Sequence, residues 1–286
     1  LEKIGKKDLA ERLREAGSQF KRMFEAADKV RKTIVTTLDT QYRMHKQIMN
    51  TIEQFYREEL YATGGLKCGI TETMDIPDLL NKGSRWHGIS LYPIIEPTTH
   101  AVWIDVPTKE IQINYSFKNE GELEAIGLLL KGLRQADGFN EFIEIQEKDV
   151  DKRIGIITFY SAQKREIKRK YHDKSYDIDV VDRFQGMERN IIIVSTVRSN
   201  NNKNIGFAKE IERINVAFSR ARCLLIVVGN KHQFESNRNY AASIANMETV
   251  SFEQLKKALK YSEIDVQKPS KKRTKLRFSK NGKRYL

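Results

Sequence analysis

The chain has few of the features on which secreted and membrane-spanning proteins depend. Its 286 residues include only two cysteines, Cys68 and Cys223, too few for a disulfide framework or a four-ligand zinc site of their own. The longest apolar runs, at 191–194 and 223–228, are far shorter than the roughly 20 residues that span a bilayer. We therefore predict an intracellular protein, cytoplasmic or nuclear, with no membrane partner.

The sequence also lacks the phosphate-binding loop typical of nucleotide hydrolases. No Gly-x-x-x-x-Gly-Lys-Ser/Thr segment occurs in it, and the Gly-Lys steps at 5–7 and 282–284 are not followed by a hydroxyl residue. No Asp-Glu pair follows a predicted strand, where it could hold magnesium. We therefore predict no metal ligand within this chain.

The chain has an excess of positive charge, and much of it lies at one end. Lys and Arg number 51 against 38 Asp and Glu, which gives a formal net charge of +13. Residues 267–286 contain nine basic residues and no acidic one, so about +4 remains for the rest. Such a segment neutralises phosphates and releases their counterions, which indicates a nucleic-acid partner. The alternative is a terminus that is merely solvated.

Hydrophobic periodicity predicts an α/β fold with a parallel sheet. The predicted strands are short apolar or β-branched runs at 33–38, 101–106, 153–158, 178–181, 190–196 and 223–228. The predicted helices lie at 1–30, 44–60, 119–135, 162–171, 210–220, 231–243 and 252–262. Because the strands are near-continuous apolar runs, we expect helices on both faces of the sheet. Residues 61–100 have little periodicity and are predicted to be an irregular excursion.

Polar residues follow the predicted strands at nearly every exit. In a parallel sheet, ligands bind at the carboxyl ends of the strands, so these residues are the candidates for function. The segments concerned are 41–45, 159–163, 181–188, 197–199 and 228–230, together with 211–222 just before the last predicted strand.

These segments, in their order along the chain, resemble the second RecA-like domain of superfamily 1B helicases, the up-frameshift-type group. Gln41-Tyr42-Arg43-Met44-His45 is similar to the family's motif IV. The stretch from Val181 through Phe-Gln-Gly to Glu188, with Ser-Thr-Val-Arg-Ser at 195–199, is similar to motif V. Arg-x-Asn-Val-Ala-x-Ser-Arg-Ala at 213–221, with Val-Gly-Asn at 228–230, is similar to motif VI.

The resemblance predicts the domain organisation. It covers residues 18–232 apart from the excursion at 61–100. We expect residues 1–32 to be a helical lead-in from a first motor domain, residues 33–262 to be the second motor domain, and residues 263–286 to be a basic tail. The phosphate-binding loop and the magnesium ligands are then expected on an upstream RecA-like domain, so this chain alone is predicted to be inactive.

The resemblance also implies a nucleotide site. In that family, ATP lies in the cleft between two RecA-like domains. Tyr42 is implied to stack on the adenine, and Arg43 and Arg220 are implied as catalytic residues that reach the γ-phosphate. The other residues placed at the nucleotide, which is ATP with Mg²⁺, are Gln41, Glu188 and Arg213.

A second implied site faces single-stranded nucleic acid, either DNA or RNA. The residues that the resemblance places there are Thr158, Tyr160, Ser161, Gln163, Arg183, Gln185, Thr196 and Arg198.

Two other functions stay open at the level of sequence. One is a RecA-like module that grips nucleic acid without ATPase activity, and a phosphate-binding loop upstream of Leu1 would argue against it. The other is a nuclease. Its only candidate pair, Glu166 and Lys168, lies on a predicted helix with no partner acid on a strand, which argues against this function.

Overall fold

A parallel sheet forms the centre of the chain, as the α/β pattern predicted. The computed structural model describes residues 38–57, 60, 64–70, 85–145 and 154–266. The strands in chain order are β1 (Thr40–Gln41), β2 (Lys67–Cys68), β3 (Ala101–Asp105), β4 (Ile111–Ile113), β5 (Ser116–Lys118), β6 (Ile154–Thr158), β7 (Tyr176–Val180), β8 (Arg189–Ser195), β9 (Ala221–Gly229) and β10 (Glu248–Ser251).

Six of these strands form one sheet in the order β10-β3-β9-β8-β6-β7, and every neighbouring pair is parallel. Every residue of β8 and β9 is buried, as a sheet covered on both faces requires. This confirms the predicted RecA-like α/β fold. The strands β1 and β2 pair with each other, and β4 and β5 form an antiparallel hairpin.

Helices cover both faces of the sheet. They are α1 (Lys46–Asn50), α2 (Glu120–Gln135), α3 (Phe139–Ile145), α4 (Ser161–Lys170), α5 (Ile211–Phe218), α6 (Lys231–Phe234), α7 (Arg238–Ile244) and α8 (Phe252–Val266). On one face, α2, α3, α4 and α8 pack on residues such as Ile193 and Ile226. On the other, α1, α5, α6 and α7 surround the fully buried Trp103.

Some predicted helices end earlier than expected. The predicted helix at 44–60 is α1 followed by a separate 3₁₀ turn at Glu53–Phe55. The Thr51 hydroxyl donates to the Ile48 carbonyl at 2.7 Å, and the chain turns there so that Ile52 is buried. The helix predicted at 231–243 is two short helices, α6 and α7, with Asn237 capping the second.

Several expectations lie outside the described residues. They are the helix at 1–30, the strand at 33–38 apart from Leu38, and the basic tail at 267–286. The three-region division of the chain therefore stays a prediction. No helix in the described ranges is long and apolar enough to cross a membrane.

Candidate nucleotide and nucleic-acid sites

Arginines from two distant parts of the chain meet at one carboxylate, that of Glu188. The Arg43 Nε donates to Glu188 Oε2 at 2.8 Å, and Arg43 Nη1 donates to the Ser219 carbonyl at 3.4 Å. Arg222 Nε lies 3.9 Å from the other oxygen of Glu188. Both Arg43 and Glu188 are about 40% exposed, so the pair remains open to solvent and to a ligand. The structure thus brings together residues from the segments similar to motifs IV, V and VI.

Arg220 lies at the edge of the same cluster, just after α5. Its guanidinium donates to the carbonyls of Val216 at 3.1 Å and Met187 at 3.4 Å, which fixes its position. Burial, followed by repulsion from Arg43, lowers the pKa of Arg220 from its ordinary value. Arg43 and Arg222 therefore lie at one carboxylate with Arg220 beside them, and a bound anion would offset the repulsion between Arg43 and Arg220. Such a site suits phosphate oxygens.

The loop that carries Arg43 is held in place by Gln41. The Gln41 Oε1 accepts hydrogen bonds from the backbone N–H groups of Arg43 at 2.8 Å and Met44 at 2.9 Å. Its Nε2 donates to the Met44 carbonyl at 2.9 Å. With these atoms engaged, Gln41 shapes the loop rather than presenting its side chain to a nucleotide.

Tyr42 is the exposed member of this loop. Its side chain is 68% exposed, and its ring lies on the backbone of Gly69, where a Cβ would overlap it. The buried Arg85 donates to the backbone carbonyls of Tyr42 at 2.9 Å and Arg43 at 2.5 Å. Arg85 thus holds the backbone of both residues in place. It was not predicted as a functional residue, because residues 61–100 have little periodicity.

Arg213 takes part in a different group of side chains. It bonds both oxygens of Asp182, the shorter contact being 3.0 Å, and lies 3.0 Å from Glu210. Its guanidinium also lies over the Phe207 ring, 5.3 Å from the centroid. These contacts do not include the carboxylate of Glu188. The structure therefore gives no contact that supports the predicted role of Arg213 at the nucleotide.

A buried carboxyl group organises the carboxyl end of β8. Both oxygens of Glu122 accept from the Val197 N–H, at 2.8 and 3.0 Å, and one accepts from the Ser195 hydroxyl at 2.6 Å. Val197 has a φ of 71°, a costly conformation for a β-branched residue. Burial raises the pKa of Glu122 to about 8. Asn119 caps α2 by accepting from the Glu122 N–H at 3.2 Å, while the Glu122 carboxyl group turns toward Val197.

Five of the residues predicted to contact nucleic acid are buried in and around this network. They are Thr158, Tyr160, Gln163, Thr196 and Arg198. Gln163 Nε2, for example, donates to Ser195 Oγ at 3.0 Å, and Arg198 Nε donates to Glu110 at 2.9 Å. Tyr160, Gln163, Thr196 and Arg198 have hydrogen-bond partners inside the domain, whereas the Thr158 hydroxyl is buried without one, and the burial of all five side chains leaves little surface for a strand. We therefore correct their role from contact residues to residues that position the loops.

The other three predicted contact residues lie on the surface. Ser161 begins α4, and Arg183 and Gln185 lie on the turn between β7 and β8. Gly186 follows them with a φ of 86° and no atom near the place of a Cβ, so the tip of this turn is open. A strand could reach these side chains without a change in the fold.

Three histidines pack together behind the arginine cluster. The rings of His45 and His100 are stacked at 3.5 Å, and His87 meets His100 edge-on at 4.8 Å. Burial lowers the pKa of His45 to about 4 and the pKa values of His87 and His100 to about 3. His100 Nδ1 bonds the Cys223 carbonyl at 2.7 Å, which ties this group to β9. The rings are therefore neutral packing groups at neutral pH.

No group of three or more His, Cys, Asp or Glu side chains in the described ranges could hold a metal ion. The candidate nuclease pair is likewise not assembled as a site. Glu166 lies on α4 and forms an ion pair with Arg169 at 2.7 Å.

Comparisons with known proteins identify the family of this chain. A family model described as an AAA domain matches residues 16–232. A DNA polymerase alpha-associated DNA helicase A of Saccharomyces cerevisiae is 32% identical over 205 residues, which are 70% of this chain and 28% of that protein. An ATP-dependent helicase of Methanocaldococcus jannaschii is 28% identical over 244 residues, covering 84% of this chain and 33% of that protein.

A homolog of regulator of nonsense transcripts 1, from Neurospora crassa, is 28% identical over 218 residues, covering 73% of this chain and 18% of that protein.

The chain belongs to the AAA-domain family of superfamily 1 helicases. It spans about a third or less of the length of these relatives.

Proposed function

We propose that this chain is the second motor domain of an ATP-dependent helicase. In this proposal it completes an ATP site with Arg43 and Arg220 and grips single-stranded nucleic acid at the carboxyl edge of its sheet. The observation that carries the proposal is the convergence of Arg43 and the buried Arg222 on Glu188, with Arg220 beside them, where Arg43 and Glu188 remain open to solvent.

The chemistry of arginine suits the transfer of a phosphoryl group. A guanidinium stays charged at all working pH values and offers a planar fork of donors that matches phosphate oxygens. Charge spreads over those oxygens in the transition state, where an arginine finger contributes roughly 10³–10⁵ in rate. Glu188 would hold Arg43 in place until a phosphate replaces it as the partner.

The exposed Tyr42 is the proposed adenine platform, since its ring is fixed against Gly69 and open on its other side. Magnesium, when bound with ATP, neutralises part of the phosphate charge. Its ligands are proposed to come from a first motor domain, because the described residues of this chain contain no suitable cluster.

The nucleic-acid contacts are proposed at Ser161, Arg183 and Gln185. These residues lie at the carboxyl ends of β6 and β7, so they share one edge of the sheet. The arginine would take a phosphate, and the hydroxyl and amide groups would bond the backbone of the strand.

The purified chain alone is expected to hydrolyse no ATP above background, because its sequence contains no phosphate-binding loop. A phosphate-release assay with and without single-stranded DNA or RNA measures this directly. If the chain hydrolyses ATP and this activity falls in the Arg43→Ala variant, the chain contains a complete active site. That result would contradict the second-domain role.

Removal of residues 267–286 is expected to weaken single-strand binding, because nine positive charges are lost. The slope of log affinity against log salt should fall by about 0.7 for each phosphate contact removed. Fluorescence anisotropy at several salt concentrations measures both quantities. An unchanged slope would mean that the tail is only solvated.

A further inference from the structure

The β4–β5 hairpin presents an aromatic ring entirely to solvent. Ile111 pairs with Lys118 and Ile113 with Ser116, which leaves Asn114 and Tyr115 as a two-residue loop. Asn114 adopts a φ of 53°, as the first position of such a loop requires. Tyr115 follows it and is fully exposed.

The base of this hairpin is tightly anchored. Phe117 lies under the guanidinium of Arg198 at 4.1 Å and meets the Tyr160 ring edge-on at 5.5 Å. Ser116 Oγ accepts from the Ala162 N–H at 3.0 Å, at the start of α4. The hairpin tip is therefore held at the same edge of the sheet as Ser161, whose Oγ donates to Ser116 Oγ at 3.3 Å.

The turn itself does not explain the tyrosine. Of the two loop residues, only Asn114 has a positive φ, so the second position accepts most residue types and does not require an aromatic one. A tyrosine at that position gains no burial and exposes a large apolar ring to water. The ring is therefore placed where it can meet a flat partner that comes from outside the domain.

The surface beside the hairpin suits an anionic strand. Ser161, Arg165 and Lys168 are exposed and spaced four and seven residues apart, so they share one face of α4. This basic stripe runs along α4 from its start at the hairpin. Such a combination of a cationic track and an exposed ring is how proteins hold single strands without sequence preference.

We propose that Tyr115 is a stacking platform for one base of the single strand, while Arg165 and Lys168 bind the phosphates beside that base. This inference rests on the proposed function, and it adds a base-contacting residue outside the three helicase motifs. Two of the five buried residues, Tyr160 and Arg198, then have a defined task, since they anchor the hairpin through Phe117.

The test compares Tyr115→Ala, Tyr115→Phe and a control, Tyr92→Ala, in the full chain. Tyr92 is also an exposed tyrosine, at 77%, and lies in the segment before β3. The probes are 12-nucleotide oligo-dT and oligo-U and a series of the same oligonucleotides, each with one abasic position. We expect Tyr115→Ala to weaken binding by about 5-fold to 100-fold, and the other two variants by less than about 2-fold.

The abasic series identifies the interaction. One abasic position should weaken binding by the wild-type chain, and the Tyr115→Ala variant should be insensitive to that same position. Equal affinity of wild type and Tyr115→Ala for oligo-dT and oligo-U would overturn the inference and leave the proposed function standing. A loss in Tyr115→Ala that is the same at every abasic position would also overturn it. Failure of the wild-type chain to bind any probe would overturn the proposed strand-gripping function itself.

Discussion

Replacement of Arg43 or Arg220 by alanine is expected to lower kcat for ATP hydrolysis by about 100-fold or more. The measurement requires a protein that carries this chain together with a first motor domain. Arg43 Nη1 donates to the Ser219 carbonyl at 3.4 Å and Arg220 Nη2 donates to Ser219 Oγ at 3.1 Å, so the two guanidinium groups lie beside the same residue and are expected to meet the same phosphate. Single-strand affinity without nucleotide should change little, because neither side chain is proposed to contact the strand.

Two controls separate catalysis from stability. Arg43→Lys and Arg220→Lys should rescue turnover poorly, since an ammonium is a point charge and lacks the bidentate fork. Arg134→Ala removes an exposed ion pair with Asp173, at 2.6 Å, on another part of the surface. It should leave turnover near normal and change the free energy of unfolding by less than about 1 kcal/mol. Near-normal kcat in both alanine variants at Arg43 and Arg220 would refute their assignment.

Replacement of Glu122 by alanine is expected to reduce the free energy of unfolding by about 3 to 5 kcal/mol. The Ser195 hydroxyl and the Val197 N–H would each lose a buried acceptor, and Val197 would keep its left-handed conformation without that support. Glu122→Gln keeps a side-chain oxygen in place and should cost much less. Urea unfolding of the three proteins measures the difference.

The pH dependence of the same three proteins tests the ionisation of Glu122. The pKa of Glu122 is about 8 in the folded protein, against an ordinary value of 4.5. The contribution of Glu122 to the free energy of unfolding is therefore complete below pH 4.5 and is lost as the pH rises toward 8. The Glu122→Gln variant has no ionisable group at this position, so it does not lose stability in this way. Its stability relative to the wild type should therefore increase by about 1.4 kcal/mol per pH unit between pH 5 and pH 8. Parallel pH profiles would mean that Glu122 is ionised in the folded protein.

The sequence predicted the centre of the sheet well because its strands are continuous apolar runs. β8 and β9 lie close to their predicted positions, since nothing but a doubly covered strand accommodates such runs. β10 was missed, because Glu248-Thr-Val-Ser251 has one apolar residue and only its position at the sheet edge makes it a strand. The three-residue strands of the hairpin gave too short a pattern to predict.

The candidate site was predicted in part. Motif order identified Arg43, Glu188 and Arg220, although Arg43 and Glu188 are 145 positions apart in the chain. Order could not distinguish a surface arginine such as Arg183 from a buried one such as Arg198. That distinction depends on Glu110, which pairs with Arg198 from outside the motifs.

The strand order also bears on synthesis of the protein by the ribosome. β3 is flanked by β9 and β10, and Ala101 pairs with Leu225, about 120 positions later in the chain. At roughly 5 to 20 residues per second, β3 waits on the order of 6 to 25 seconds for its first neighbour in the sheet. During that interval its apolar side chains, including Trp103, have no sheet partner. We therefore expect β3 to be the segment of the nascent chain that is most exposed to aggregation before β9 is synthesised.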